Sequence, residues 1–161
     1  MVRKFEGKVS LVRGKSSGIG RASALTFARE GEKFIIADIA AEGGEKTAEM
    51  IEESRGAAIF VKTDVSKGVE VEVLINEAAE TYGRLDCALN NAGVAQSIRV
   101  PTANYNEEDW DRVLSINLKD VWLCMKYEIK RMLKQGREGY CPHLASCRIM
   151  WLPGSPCVCC Q

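Results

Sequence analysis

Apolar residues along this chain gather in short runs that alternate with longer stretches where they recur every three or four positions. The runs suit buried strands and the longer spacing suits amphipathic helices. Strands are expected over residues 8–12, 33–38, 57–61 and 85–89. Helices are expected over 19–29, stopped by Gly31, and over 41–54, with Ala48 and Ile51 facing inward. A third helix spans 69–82, with Val73, Leu74, Ala78 and Tyr82 inward. A long fourth runs from 107 to 133 and carries Trp110, Val113, Leu114, Val121, Met125, Ile129 and Met132 on one stripe. Strand–helix alternation of this kind predicts βαβ units, because parallel strands need a crossover and a right-handed helical crossover supplies it. The expected fold is α/β, a doubly wound parallel sheet in three layers with strand order 3-2-1-4.

Composition narrows the function classes. The chain has 161 residues, enough for one domain with a real core, and its formal net charge is zero. That balance argues against nucleic acid or an anionic membrane as partner, since both depend on a basic excess. No apolar run approaches the ~20 residues that span a bilayer. The first residues lack the apolar stretch of a secretory signal, so a cytoplasmic location is expected. Five of the seven cysteines fall after residue 140, at Cys141, Cys147, Cys157, Cys159 and Cys160. An odd total without an export signal argues against a disulfide framework. With His143 the tail offers metal-ligating atoms, but Cys157-Val158-Cys159-Cys160 is not a paired zinc spacing, so no metal site is assigned.

Candidate chemistry clusters where strands end. Gly14-Lys15-Ser16-Ser17-Gly18-Ile19-Gly20 joins the first strand to the first helix. Glycines there let the backbone turn tightly and approach a pyrophosphate, whose charge is met by free N–H groups at the helix N-terminus. Asp38 and Ile39 close the second strand, with Asp38 18 residues after Gly20. A carboxylate at that place accepts hydrogen bonds from both ribose hydroxyls of NAD and repels the 2′-phosphate of NADP. Its alternative role is capping the next helix. Asp64, after the third strand, is placed to accept from an adenine amino group, and Asn90-Asn91-Ala92-Gly93 follows the fourth strand at the same edge.

Gly-x-x-x-Gly-Ile-Gly, the strand-two Asp38, Asp64-Val65, Asn90-Asn91-Ala92-Gly93 and Asn117 in the long helix occur in the order and spacing of the classical short-chain dehydrogenases/reductases. Residues 6 to about 138 resemble that family, which implies a Rossmann-type fold, NAD as cofactor and a small-molecule alcohol or carbonyl as substrate. The resemblance implies that Gly14, Ser16, Ser17, Gly18, Ile19 and Gly20 cradle the pyrophosphate, that Asp38 selects NAD and that Ile39 beside it binds the cofactor. It implies that Asp64 and Val65 bracket the adenine and that Asn90, Asn91, Ala92 and Gly93 line the site. Asn117 resembles the family asparagine that bends this helix and holds a water in the proton relay, the one catalytic residue assigned. The long helix at 107–133 resembles the element through which the family self-associates.

Two departures matter. The family has threonine where this chain has Arg13, whose long charged side chain must reach solvent or a phosphate, and weaker cofactor binding is expected. The family's Tyr-x-x-x-Lys is absent from this sequence. Tyr127 and Arg131 show a similar spacing but lie on the preceding helix, where packing explains them, and Ser146 falls near the family's serine position. From Gly139 the text changes character. Reading the encoding codons one nucleotide later permits Ala-Ile-Val-His-Thr-Ser over residues 139–144 and Ala-Tyr-Val-Ala over 157–160, although the codon at Ala145 does not fit. The expectation is an NAD-binding domain over 1–139, incomplete on its C-terminal side, and an out-of-frame, loosely ordered tail over 140–161. Catalysis is then lost. The other readings left open are an oxidoreductase in which residual chemistry survives, a non-catalytic nucleotide-binding module, and a metal-binding or interaction protein acting through the Cys-rich tail.

Overall fold

The computed structural model describes residues 5–14, 18–94, 102–136, 147–152 and 155–160. Strands β1 (Val9–Arg13), β2 (Lys33–Asp38), β3 (Ala57–Lys62) and β4 (Cys87–Asn90) form one parallel sheet in the order β3-β2-β1-β4. The apolar pattern places β2 on the same residues, and β1 one position earlier. β4 starts two residues later than expected. Leu85 is buried, but its backbone is held by the Gln135 side chain, which accepts from the Leu85 N–H and donates to its carbonyl, both at 2.9 Å. A side-chain amide thus takes the place of a strand neighbour there.

Helices α1 (Gly18–Arg29) and α2 (Ala41–Glu53) cover one face, and α3 (Gly68–Tyr82) and α5 (Asp120–Lys134) the other. The strand pleat sorts the core between them. Val12, Phe34 and Ile36 pack with Ala24, Ala28 and Ile51 on the first face. Leu11, Ile35 and Ala37 pack with Leu74, Ala78 and Cys124 on the second. Residues such as Phe34, Ile35 and Ile36 are removed from water almost completely, and each contributes about 1.5–3 kcal/mol of burial. The result is the three-layer, doubly wound arrangement that the strand–helix alternation predicted.

Three expected core positions are outside the core. In α3 the buried stripe is Val71, Leu74, Ile75 and Ala78, which leaves Val73 on the solvent side. The long fourth helix is divided into α4 (Glu107–Leu114), one π-helical turn (Ser115–Lys119) and α5. The wide turn resets the helical phase, so a stripe drawn straight through it fails: Trp110 and Leu114 are exposed, whereas Val121, Met125 and Met132 are buried.

β5 (Cys147–Leu152) and β6 (Ser155–Cys160) pair antiparallel, with Ile149 opposite Val158, as a two-stranded sheet separate from the main one.

Candidate functional site

The connection out of β1 runs to β2, and the connection out of β3 crosses to β4 on the other side of β1. This reversal opens a crevice at the carboxyl edge of the sheet, where open α/β sheets bind ligands. A cleft of about 440 Å³ lies there.

Gly14 lies at its floor. Its φ is +74°, and a Cβ on it would stand 2.5 Å from Ala92 Cα and 2.6 Å from Ala92 N, so only glycine fits. The turn after β4 is tied to the same residue, because the Asn91 side-chain amide donates to the Gly14 carbonyl at 3.1 Å. Gly14, Asn91, Ala92 and Gly93 all line the cleft. Gly18, with φ of +61°, opens α1, and nothing stands within 4 Å of where its Cβ would be. Gly20 is buried in the first turn of α1. Ser16 and Ser17 lie outside the described residues, as does the side chain of Ile19.

Asp38 and Ile39 line the cleft at the end of β2. The Asp38 carboxylate accepts from the Ala40 N–H at 3.0 Å. The N-cap of α2 is Ala40, whose own side chain makes no cap, so the Asp38 carboxylate engages the N–H at the entry to that helix. Asp64 and Val65 line the facing wall. Asp64 accepts from the Ser66 hydroxyl at 2.7 Å and the Ser66 N–H at 3.1 Å. The Ser66 hydroxyl is the main reason its carboxyl is held below the ordinary range, and Lys67 adds to it.

The π-helical turn delivers Ile116 to the cleft and Asn117 to the chain beside it. Asn117 Oδ1 accepts from the Val94 N–H and its Nδ2 donates to the Val94 carbonyl, both at 2.8 Å. A Cβ on Gly93 would meet Asn117 Oδ1 at 3.1 Å. π-turns often mark functional positions.

Arg13 departs from expectation. Strand alternation points it at α5, so it is buried away from bulk solvent at the edge of the cleft that it helps to line. It is 1% exposed, and none of its three side-chain nitrogens has a hydrogen-bond partner among the described residues. Around it stand Asp120, Cys124 and Glu128 of α5, all buried. Burial is the chief reason that each of these three is pushed up, Cys124 to about 12 and Glu128 to about 7. Tyr127 packs partly into the core, and Arg131 donates to the Gly83 carbonyl at 3.2 Å. That supports packing rather than chemistry for the pair. Ser146 lies outside the described residues.

Sequence reasoning missed Thr63, Val94, Ile116 and Asp120 as lining residues. Thr63 and Val94 adjoin named motifs and could have been found by extending them one residue. Ile116 adjoins Asn117 and could have been found in the same way, whereas Asp120 carried no signal, because the π-turn that aims it has none in the hydrophobic pattern.

A family profile described as short chain dehydrogenase matches residues 8–140. An uncharacterised oxidoreductase of Thermotoga maritima is 42% identical over 135 residues, covering 82% of this chain and 51% of that protein. The crystal structure of an NAD+-bound xylitol dehydrogenase superposes with a TM-score of 0.84 at 32% identity, over 89% of this chain and 54% of that one. A short-chain dehydrogenase/reductase from Burkholderia phymatum in complex with NAD gives 0.82 at 31% identity, over 89% and 50%. The chain spans about half the length of the relatives it matches. Residues 8–140, the four-stranded sheet and the cleft at its carboxyl edge together place this chain in the short-chain dehydrogenase family.

Proposed function

We propose that residues 1–139 form an NAD(H)-binding domain of oxidoreductase type, and that this 161-residue chain holds the cofactor without transferring hydride. The observation that carries the reading is the cleft in which Gly14, Asp38, Asp64 and the 91–93 turn converge. The residues present fit a dinucleotide. The backbone at Gly14 and the open space at Gly18 leave room for a pyrophosphate at the N-terminus of α1. Asp38 is placed to accept from a ribose diol, and Asp64 from an adenine amino group beside Val65 and Ile116. The nicotinamide of a bound NAD(H) gives or takes a hydride in the oxidation of an alcohol or reduction of a carbonyl. Such chemistry needs a positioned general acid or base, and this sequence has no Tyr-x-x-x-Lys to supply one. The family profile ends at residue 140, which supports separating residues 140–161 from the cofactor domain.

The test is a fluorescence titration of the 161-residue chain with NADH and NADPH, followed by a screen of secondary alcohols, sugars and steroids with NAD. NADH should bind the more tightly and the screen should be blank. Equal affinity for the two cofactors, or turnover with any substrate, would overturn the corresponding half of the reading.

A further inference from the structure

A buried polar group adjoins the cleft, and two of its members, Arg13 and Asp120, line it. Arg13 of β1 and Asn90 of β4 are register neighbours, and both are buried. The Asn90 side-chain amide donates to Glu128 Oε2 at 3.0 Å. Glu128 Oε1, Asp120 Oδ1 and the Arg13 nitrogens have no hydrogen-bond partner among the described residues. Asp120, Cys124 and Glu128 recur every four residues along one stripe of α5. Arg13 faces this stripe from β1 and Asn90 from β4, while α3 brings apolar Val71 and Leu74 to the cluster around Cys124.

The turn that closes the cleft has three anchors outside itself. Asn90 is held by Glu128, Asn91 by the Gly14 carbonyl and Val94 by Asn117. Of the three partners, Glu128 alone can change charge.

We propose that Glu128 is a positioning residue for the cofactor cleft: its carboxylate, and not its neutral acid, holds the Asn90 amide and with it the 90–93 turn in the form that receives the nucleotide. The inference rests on the cleft being the NAD(H) site. An ionised acceptor makes a shorter and stronger bond to an amide N–H than a neutral one does. The neutral acid also carries an O–H that competes for the Asn90 carbonyl oxygen. Burial opposes the ionised form while the Asn90 amide and Arg13 favour it, and the balance near pH 7 keeps both forms populated.

Two measurements test this. NADH affinity of the wild-type chain, titrated from pH 5.5 to 8.5, should rise about fivefold through a midpoint near 7, the difference between a charged and a neutral acceptor. Glu128→Gln should bind at the weaker level and lose the pH dependence. Independently of any nucleotide, and of whether that variant folds, the Asn90 side-chain amide ¹⁵N resonances of the wild-type chain should shift with the same midpoint. An NADH affinity that is flat with pH, a Glu128→Gln profile that parallels the wild type, or Asn90 resonances that do not titrate would each overturn the inference. A titrating Asn90 in a chain that binds no NADH would instead sink the cofactor reading on which it rests.

Discussion

Asn117 closes both backbone hydrogen bonds of Val94, so one side chain does for the turn after β4 what a neighbouring strand does within a sheet. The two bonds, each 2.8 Å, engage the whole amide of Asn117. In this fold its side chain is therefore a clamp on the turn that lines the cleft. Asn117→Ala should lower stability by about 1–3 kcal/mol, the scale for two lost hydrogen bonds, and should weaken NADH binding. Asn117→Asp keeps the acceptor but not the donor and should fall between the two. Thermal melts and NADH titrations of the three proteins check the order. An alanine variant that melts and binds like the wild type would contradict the clamp.

Gly14 and Gly83 separate two costs of replacing glycine. Both have positive φ, but a Cβ on Gly83 meets nothing within 4 Å, whereas one on Gly14 runs into the backbone of Ala92. Gly83→Ala should cost only the left-handed strain, about 1–2 kcal/mol, and leave NADH affinity unchanged. Gly14→Ala must also push the 91–93 turn away, so it should cost more and abolish measurable NADH binding. Paired denaturant melts and titrations read both effects. Equal losses in the two variants would show that the Ala92 contact is slack.

These contrasts mark where the sequence was readable. Strand and helix identities follow from periodicity, since a buried sheet leaves continuous apolar runs and a helix face leaves gaps of three and four. Gly14, Asp38, Asp64 and the 91–93 turn were legible because they follow successive strands in the order of the family pattern, and the sheet brings them to one cleft. The π-turn at Ser115–Lys119 was not, because one wide turn alters phase without altering composition. It misplaced Trp110 and Leu114 and hid Asp120. The environment of Arg13 was also hidden: its charge suggested solvent, while strand alternation buried it against α5.

Asp38 gives the cofactor preference a direct test. It lines the cleft, and its carboxylate accepts from the Ala40 N–H. A 2′-phosphate would bring a dianion against that carboxylate. Asp38→Ala should narrow the gap between NADH and NADPH by ~1–3 kcal/mol, the value of a hydrogen bond to a charged group. Calorimetric titration of both cofactors against both proteins reads the gap. A gap that stays the same would assign selectivity to other residues.

The α4–α5 surface carries apolar area that the core does not use. Trp122 is 54% exposed and forms a groove with Leu114 and Leu118, and Trp110 is exposed on the same segment. Apolar stripes left over after core packing favour self-association. The wild-type chain should sediment as more than a monomer, and Trp122→Lys should shift it towards monomer without lowering its melting temperature. A wild-type monomer that is independent of concentration would refute the prediction.

The pH dependence of stability follows from which carboxyls are paired and which are merely buried. Asp86 is pushed up by burial, but Arg84 and the Val9 N–H outweigh this and hold it below the ordinary range. Its contribution is present above its unfolded pKa and lost as pH falls towards the folded value. Glu128 runs the other way. Burial dominates over the Asn90 amide and Arg13 and raises it from 4.5 to about 7, so between those values the native state binds more protons than the unfolded chain. Stability is therefore lost as pH rises from 4.5 to about 7 and stays low above that. A tenfold change in proton affinity corresponds to about 1.4 kcal/mol, so this one group is worth a few kcal/mol. Glu32 and Asp120, both raised chiefly by burial, steepen the same arm. The melting temperature should peak on the acid side of neutrality, between the arm set by Asp86 and the arm set by Glu128. Glu128→Gln cannot ionise, so it should flatten the neutral arm and leave the acid arm in place. Melts of both proteins in matched buffers from pH 4 to 8.5 decide it. A wild-type maximum at or above pH 8 would mean that Arg13 compensates the buried carboxylates far better than the geometry indicates.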